Sequence, residues 1–155
     1  MTQVNSNGKA STVKSTFSRE TEVSINIHAD KSIIWALLTN AGDFKRWNST
    51  IISIEGDIKP NGKIVLTSTL DPKRKFKLAI KEMEVGKKLV WGDAMGKRTY
   101  SLIQYGKDQT QFTMHEKIGG PFFPLFAKMI PSFDNSFEQF AFDLKKEAEA
   151  IAQTK

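Results

Sequence analysis

The sequence contains no cysteine among its 155 residues. That excludes a disulfide framework, a thiolate metal site and a cysteine nucleophile. Histidine is nearly as scarce. His28 and His115 are the only two, and a zinc site built on them would need both, plus carboxylates, across a long stretch of chain. No metal site is expected. No apolar run approaches the roughly 20 residues of a membrane-spanning helix, and the opening "MTQVNSNGKASTVKS" lacks the apolar core of a secretory signal. Its Ser/Thr/Asn content predicts a disordered polar leader over 1–16, followed by a single domain over 17–155 in a cytoplasmic protein. No nucleophile elbow, phosphate loop or dinucleotide fingerprint occurs. "GDAMGK" has two glycines, but neither the spacing nor the following helix of such a motif. No cofactor is expected.

The composition is that of a soluble globular domain, with 39% hydrophobic and 26% charged residues. The net charge is +6. Part of the surplus lies in "KRKFKLAIKEMEVGKK", with seven basic and two acidic residues. The lysines alternate with Phe76, Leu78 and Ile80, so a solvated strand face accounts for them. Without interleaved exposed aromatics they give no support for nucleic-acid binding.

Periodicity orders the chain. "FSRETEVSINIHA" alternates, with Phe17, Val23, Ile25 and Ile27 on one face. "DKSIIWALLTN" has an N-cap in Asp30 and apolar residues at helical spacing, and "DFKRWN" reads as a second short helical turn. About six strand signals follow, punctuated by turns such as "KPNG" and "GKDQ". "SFDNSFEQFAFDLKKEAEAIA" then places Phe133, Phe137, Phe140, Ala141, Leu144, Ala148 and Ile151 on one helical stripe. Consecutive hairpins with helices on one side give an α+β domain. One long helix cannot flatly cover about six to seven antiparallel strands, so the sheet is expected to curl around it and leave a cavity.

This order, with "IIWALLTNAGDFKRWN", "KLVWG" and "FTMHEKIGG" before a terminal helix ending "LKKEAE", resembles the START-like (SRPBCC) superfamily and its helix-grip fold. Within it the chain is similar to the bacterial polyketide cyclase/dehydrase-like group, from about Glu20 to Ala150. The group often has Trp-Asn-Pro where this chain has Trp47–Asn48–Ser49, so the turn is expected to be less rigid. Many members carry a Gly-x-His segment before the sixth strand, and Arg98 stands near that histidine's place.

The resemblance implies an apolar cavity between sheet and C-terminal helix. Trp47, Leu66, Phe76, Leu78, Trp91, Phe112, Met114, Phe137 and Phe140 are its expected lining. Glu116 shares strand parity with Phe112, Met114 and Ile118. A carboxylate on that face must be paired, hydrogen-bonded or protonated, and serves either as a polar anchor or general acid/base, or as a structural partner of backbone donors. Arg98 and Glu116 lie at similar distances from the turn near "YGKDQ", so a hairpin would pair them, as a ligand clamp or an ordinary salt bridge. Tyr100 follows on the same strand.

Three functions are open. The first is binding of a lipid, polyketide-like aromatic or isoprenoid, oriented by Glu116, Arg98 and Tyr100. The second is a cyclase or dehydratase with Glu116 as acid/base. The third is a protein-interaction module of the chaperone-activating START-like type. A monomer or homodimer fits all three. "GGPFFPLFAKMIP" joins the last strand to the long helix, where the fold usually has a cavity mouth. Phe122 and Phe123 are expected to face inward as lid or wall, with weak membrane-surface contact as the alternative.

Overall fold

The protein is described by a computed structural model over residues 7–154. The chain folds as β1 (Ser11–Lys14), β2 (Ser18–Ile27), α1 (Lys31–Thr39), α2 (Phe44–Trp47), β3 (Ile51–Gly56), β4 (Lys63–Ser68), β5 (Asp71–Glu84), β6 (Lys88–Gly92), β7 (Gly96–Gly106), β8 (Gln109–Gly119), α3 (Phe123–Phe126) and α4 (Asp134–Gln153). All eight strands form one antiparallel sheet in the order β1-β2-β8-β7-β6-β5-β4-β3. The architecture is α+β, as expected, with an open sheet and a long C-terminal helix.

The leader expected over 1–16 needs correction where it is described. Residues 1–6 lie outside the described residues, but Ser11–Lys14 is a strand paired with β2. A polar edge strand can be held by side-chain bonds without apolar burial. Here Thr12 Oγ1 meets Thr21 Oγ1 at 3.0 Å and donates to Asp134 Oδ1 at 2.5 Å, while the Ala10 N–H donates to Glu138 Oε2. The extra strand is also why eight strands appear rather than six or seven.

Alternation governs β2. Val23, Ile25 and Ile27 face inward and are buried, while Glu22, Asn26 and His28 are exposed. Phe17, expected in the inner row, is 57% exposed, because the chain turns at Ser15–Ser18 before the strand begins. The inner row continues instead through Thr21 and Arg19, both buried.

Asp30 starts α1 by accepting the Ser32 N–H at 2.8 Å, which holds its carboxyl below the usual range. Asp30→Ala should lower stability by about 1 kcal/mol in urea unfolding. The folded chain holds Asp30 more acidic than the unfolded one does. Its contribution is therefore complete at neutral pH and is lost as pH falls through and below the ordinary carboxylate range.

The turn after α2 is not left loose by the missing proline. Asn48 Oδ1 accepts from both the backbone N–H and the hydroxyl of Thr50. Ser49 donates its N–H and its hydroxyl to Asp143 Oδ2 at 2.8 and 2.7 Å. A proline has no N–H to give, so serine here ties the turn to α4.

Helix α4 buries Phe137, Phe140, Ala141, Leu144 and Ala148 of the predicted stripe; Phe133, which precedes the helix, and Ile151 are half-buried against the same core. It lies mainly along β2, touching β8, α1 and α2. The strand β5 reaches beyond this cover. Its lysines 73, 75, 77 and 81 are exposed, as a solvated face requires.

Candidate functional site

The sheet register builds the site. Thr21, Glu116, Arg98 and Trp91 are successive cross-strand partners on the inner face. The next row is Val23, Met114, Tyr100 and Leu89. Ile25, Phe112 and Leu102 form the third. Arg98 and Glu116 are therefore directly opposed, and Arg98 Nε donates to Glu116 Oε1 at 2.6 Å. Their side chains are only 15% and 18% exposed. Burial alone would push the Arg98 guanidinium down. The Glu116 carboxylate and neighbouring Tyr100 outweigh it, and arginine stays charged above its ordinary range.

Aromatic rings meet between sheet and helix. Tyr100 lies 4.9 Å from Trp91, 5.7 Å from Phe140 and 6.2 Å from Phe112, measured between ring centres. Phe140 also meets Phe44 and Trp47. The Tyr100 hydroxyl is buried and its pKa is pushed up to about 12, mainly by burial and despite the opposing pull of Arg98. The Arg98 guanidinium lies near enough to donate toward its oxygen, but the Tyr100 O–H has no acceptor among the described residues, and neither has Trp47 Nε1. Buried donors without partners are uncommon and cost free energy.

A second arginine belongs to this end of the sheet. Arg19 is 8% exposed, sits 5.6 Å from the Phe133 ring centre, and donates from Nη2 to the Ile130 carbonyl at 3.1 Å. Phe133 stacks on Phe137 at 6.1 Å, and Arg98 covers Phe137 at 4.9 Å. Two arginine–aromatic pairs thus run side by side from the sheet to the start of α4. Sequence reasoning missed Arg19. The signal was present, since residue 19 has the parity of Val23, Ile25 and Ile27.

The other expected lining residues divide. Leu66, Trp91, Phe112, Met114, Phe137 and Phe140 are buried, as is Trp47. Leu78 is half-buried against the core. Phe76 is half-exposed, with the Arg74 guanidinium 4.5 Å above its ring. Phe123 is buried against Phe126. Phe122 is not a wall. It is 69% exposed, because a chain passing through a short helix cannot turn two consecutive side chains the same way. The connection can leave the sheet only through its glycines. A Cβ on Gly119 would stand 2.4 Å from the Phe17 carbonyl oxygen, and Gly120 has φ +137°.

Where the cavity is expected, the rings of Trp91, Tyr100, Phe112 and Phe140 lie against one another. Two solvent-open hollows, of about 620 and 430 Å³, lie elsewhere, and neither is lined by the Arg98–Glu116 pair or the aromatic cluster. Among the described residues no three His, Asp or Glu side chains gather as metal ligands, and no helix is long and apolar enough to cross a membrane. His115 lies on the outer side and meets Glu20 at 2.8 Å.

No family model and no curated protein matches the sequence. Solved structures do. A START superfamily protein from Mycobacterium smegmatis superposes with a TM-score of 0.63 at 14% identity, over 85% of this chain and 98% of that one. The fold is START-like. Zhui aromatase/cyclase from a Streptomyces species gives 0.64 at 10% identity, over 85% and 94%. A Thalictrum norcoclaurine synthase point mutant, in complex with a transition-state analogue, gives 0.64 at 13% identity, over 90% and 99%. At such identities the START-like likeness is one of fold, so the chemistry of this chain must be read from its own residues.

Proposed function

We propose that this domain binds a flat, hydrophobic small molecule carrying an acidic or hydroxyl group, between the sheet and α4. The observation that carries the reading is the buried Tyr100 hydroxyl, whose proton has no acceptor among the described residues, set beside a charged Arg98 and enclosed by rings. A ligand oxygen would satisfy the hydroxyl and the guanidinium together, and Trp91, Phe112 and Phe140 would stack on its apolar body. Such a ligand needs room that outward movement of the connection between β8 and α4, with the buried Phe123 and Phe137, would supply. Binding is favoured over acid/base catalysis by Glu116, because that carboxylate is already engaged by Arg98 at 2.6 Å.

The test is a tryptophan-fluorescence titration with 2-naphthoic acid, 2-naphthol and oleate. A saturable change with at least one is expected. The Arg98→Met/Glu116→Leu double variant should weaken naphthoic acid by roughly tenfold or more, from loss of a charged hydrogen bond, while naphthalene itself is unaffected. No saturable response to any of the three would overturn the proposal.

A further inference from the structure

The outer side of the β8–α4 connection has no part in the interior site, yet it is strongly apolar. Phe122, Leu125 and Met129 are 69%, 81% and 81% exposed. They recur at helical spacing along α3 and the turn after it, while Phe123 faces the other way and is buried. Phe17 and Met95, 57% and 41% exposed, extend the same surface. They are held to it by backbone bonds, Gly120 N–H to the Phe17 carbonyl and Gly119 N–H to the Met95 carbonyl. Five large apolar side chains therefore project from one end of the domain.

Positive charge predominates around them, although Glu20 stands opposite Lys117 in the β2–β8 register. From Gly119 to Phe133 there is no carboxylate, and the single charge is Lys128. Lys97 and Lys117 are exposed cross-strand neighbours in the β7–β8 register, and both line the hollow that Phe17, Met95 and Gly120 also line. Lys14 ends β1 at the same turn as Phe17. Two carboxylates share that hollow, Glu82 and Asp93. Glu82 is paired with Lys88 at 3.2 Å. Asp93 Oδ1 is taken by the N–H groups of Met95 and Gly96.

We infer that this end of the domain docks on an anionic lipid bilayer. Phenylalanine, leucine and methionine side chains standing outward from a short helical segment can enter the acyl boundary, while lysines beside them meet lipid phosphates. A folded protein partner would need a shaped surface of some 800 Å² per side. A projecting tip suits a fluid interface better. The overall charge of +6 favours approach to a negative membrane. The inference does not depend on the interior binding a ligand, since none of its residues belongs to the Arg98–Glu116 site.

The experiment is co-sedimentation of the full chain with phosphatidylcholine vesicles, with and without one third phosphatidylglycerol. Binding is expected only to the phosphatidylglycerol vesicles, and should fall as salt is raised. Phe122→Ser/Leu125→Ser/Met129→Ser should reduce the partition coefficient on the order of 100-fold. Lys97→Glu/Lys117→Glu should reduce it on the order of 30-fold or more. All five positions are exposed, so both variants should keep the wild-type circular dichroism and melting temperature. Absence of binding to the anionic vesicles, or equal binding by the triple serine variant, overturns the proposal. So does self-association of the wild type that the serine variant abolishes, since the tip would then be covered by a second copy of the chain.

Discussion

Phe140→Ala is expected to cost about 3–5 kcal/mol of folding free energy, the larger of the two strongest effects foreseen. Phe140 is 1% exposed, and its ring contacts those of Phe44, Trp47, Tyr100 and Phe112. These come from α2, β7 and β8, so its removal opens a cavity where helices and sheet meet. A domain of this kind has roughly 5–15 kcal/mol in total, so the loss is a large fraction of its stability. Urea denaturation with Phe142→Ala as control would measure it. Phe142 lies on the same helix at 56% exposure and should change stability by no more than about 0.5 kcal/mol. Similar costs for the two would refute the central place given to Phe140.

Glu116→Leu should cost about 3 kcal/mol, because it leaves the Arg98 guanidinium buried without its counter-charge. Adding Arg98→Met should restore stability to within about 1 kcal/mol of wild type, since a mostly buried ion pair can be exchanged for apolar side chains at little net cost. A solvent-screened pair would lose under about 1 kcal/mol in the single variant, and that result would rule out the environment described. The double variant is also the reagent that separates folding from binding. It should fold normally and still lose affinity for an aromatic carboxylate.

The pairing of Arg98 with Glu116 was legible in the sequence, because a hairpin turn fixes distance along both strands and parity fixes the face. The long helix was legible for the same reason, its apolar stripe being regular over five turns. What parity could not show was how the enclosed space is used. Whether Trp91, Phe112 and Phe140 line a void or fill it depends on side-chain volumes brought together from different elements, and no local pattern carries that information. Arg19 escaped because an arginine at an inward position contradicts the pattern being sought. Its burial depends on Phe133 and Ile130, more than a hundred residues away. The strand Ser11–Lys14 escaped because its partners on α4, Asp134 and Glu138, are as distant. The sequence places Phe122 and Phe123 together as lid or wall, whereas the helical turn of α3 sends one out and one in.

The strand order divides the sheet into local and non-local pairings. From β3 to β8 each strand pairs with its predecessor, so that meander can close step by step. β2 is different. Its long partner is β8, and the pair joins Ser24 to Thr113 across 89 residues. During synthesis β2 emerges early, with Val23, Ile25 and Ile27 uncovered, and must wait until the last strand has been made. α4, which covers the same row, comes later still. Non-local pairing of this kind slows folding and prolongs exposure of apolar strands. The final docking of β2 against β8 and α4 is therefore the step at which a nascent chain is most open to aggregation, and the one a folding helper would have most reason to protect.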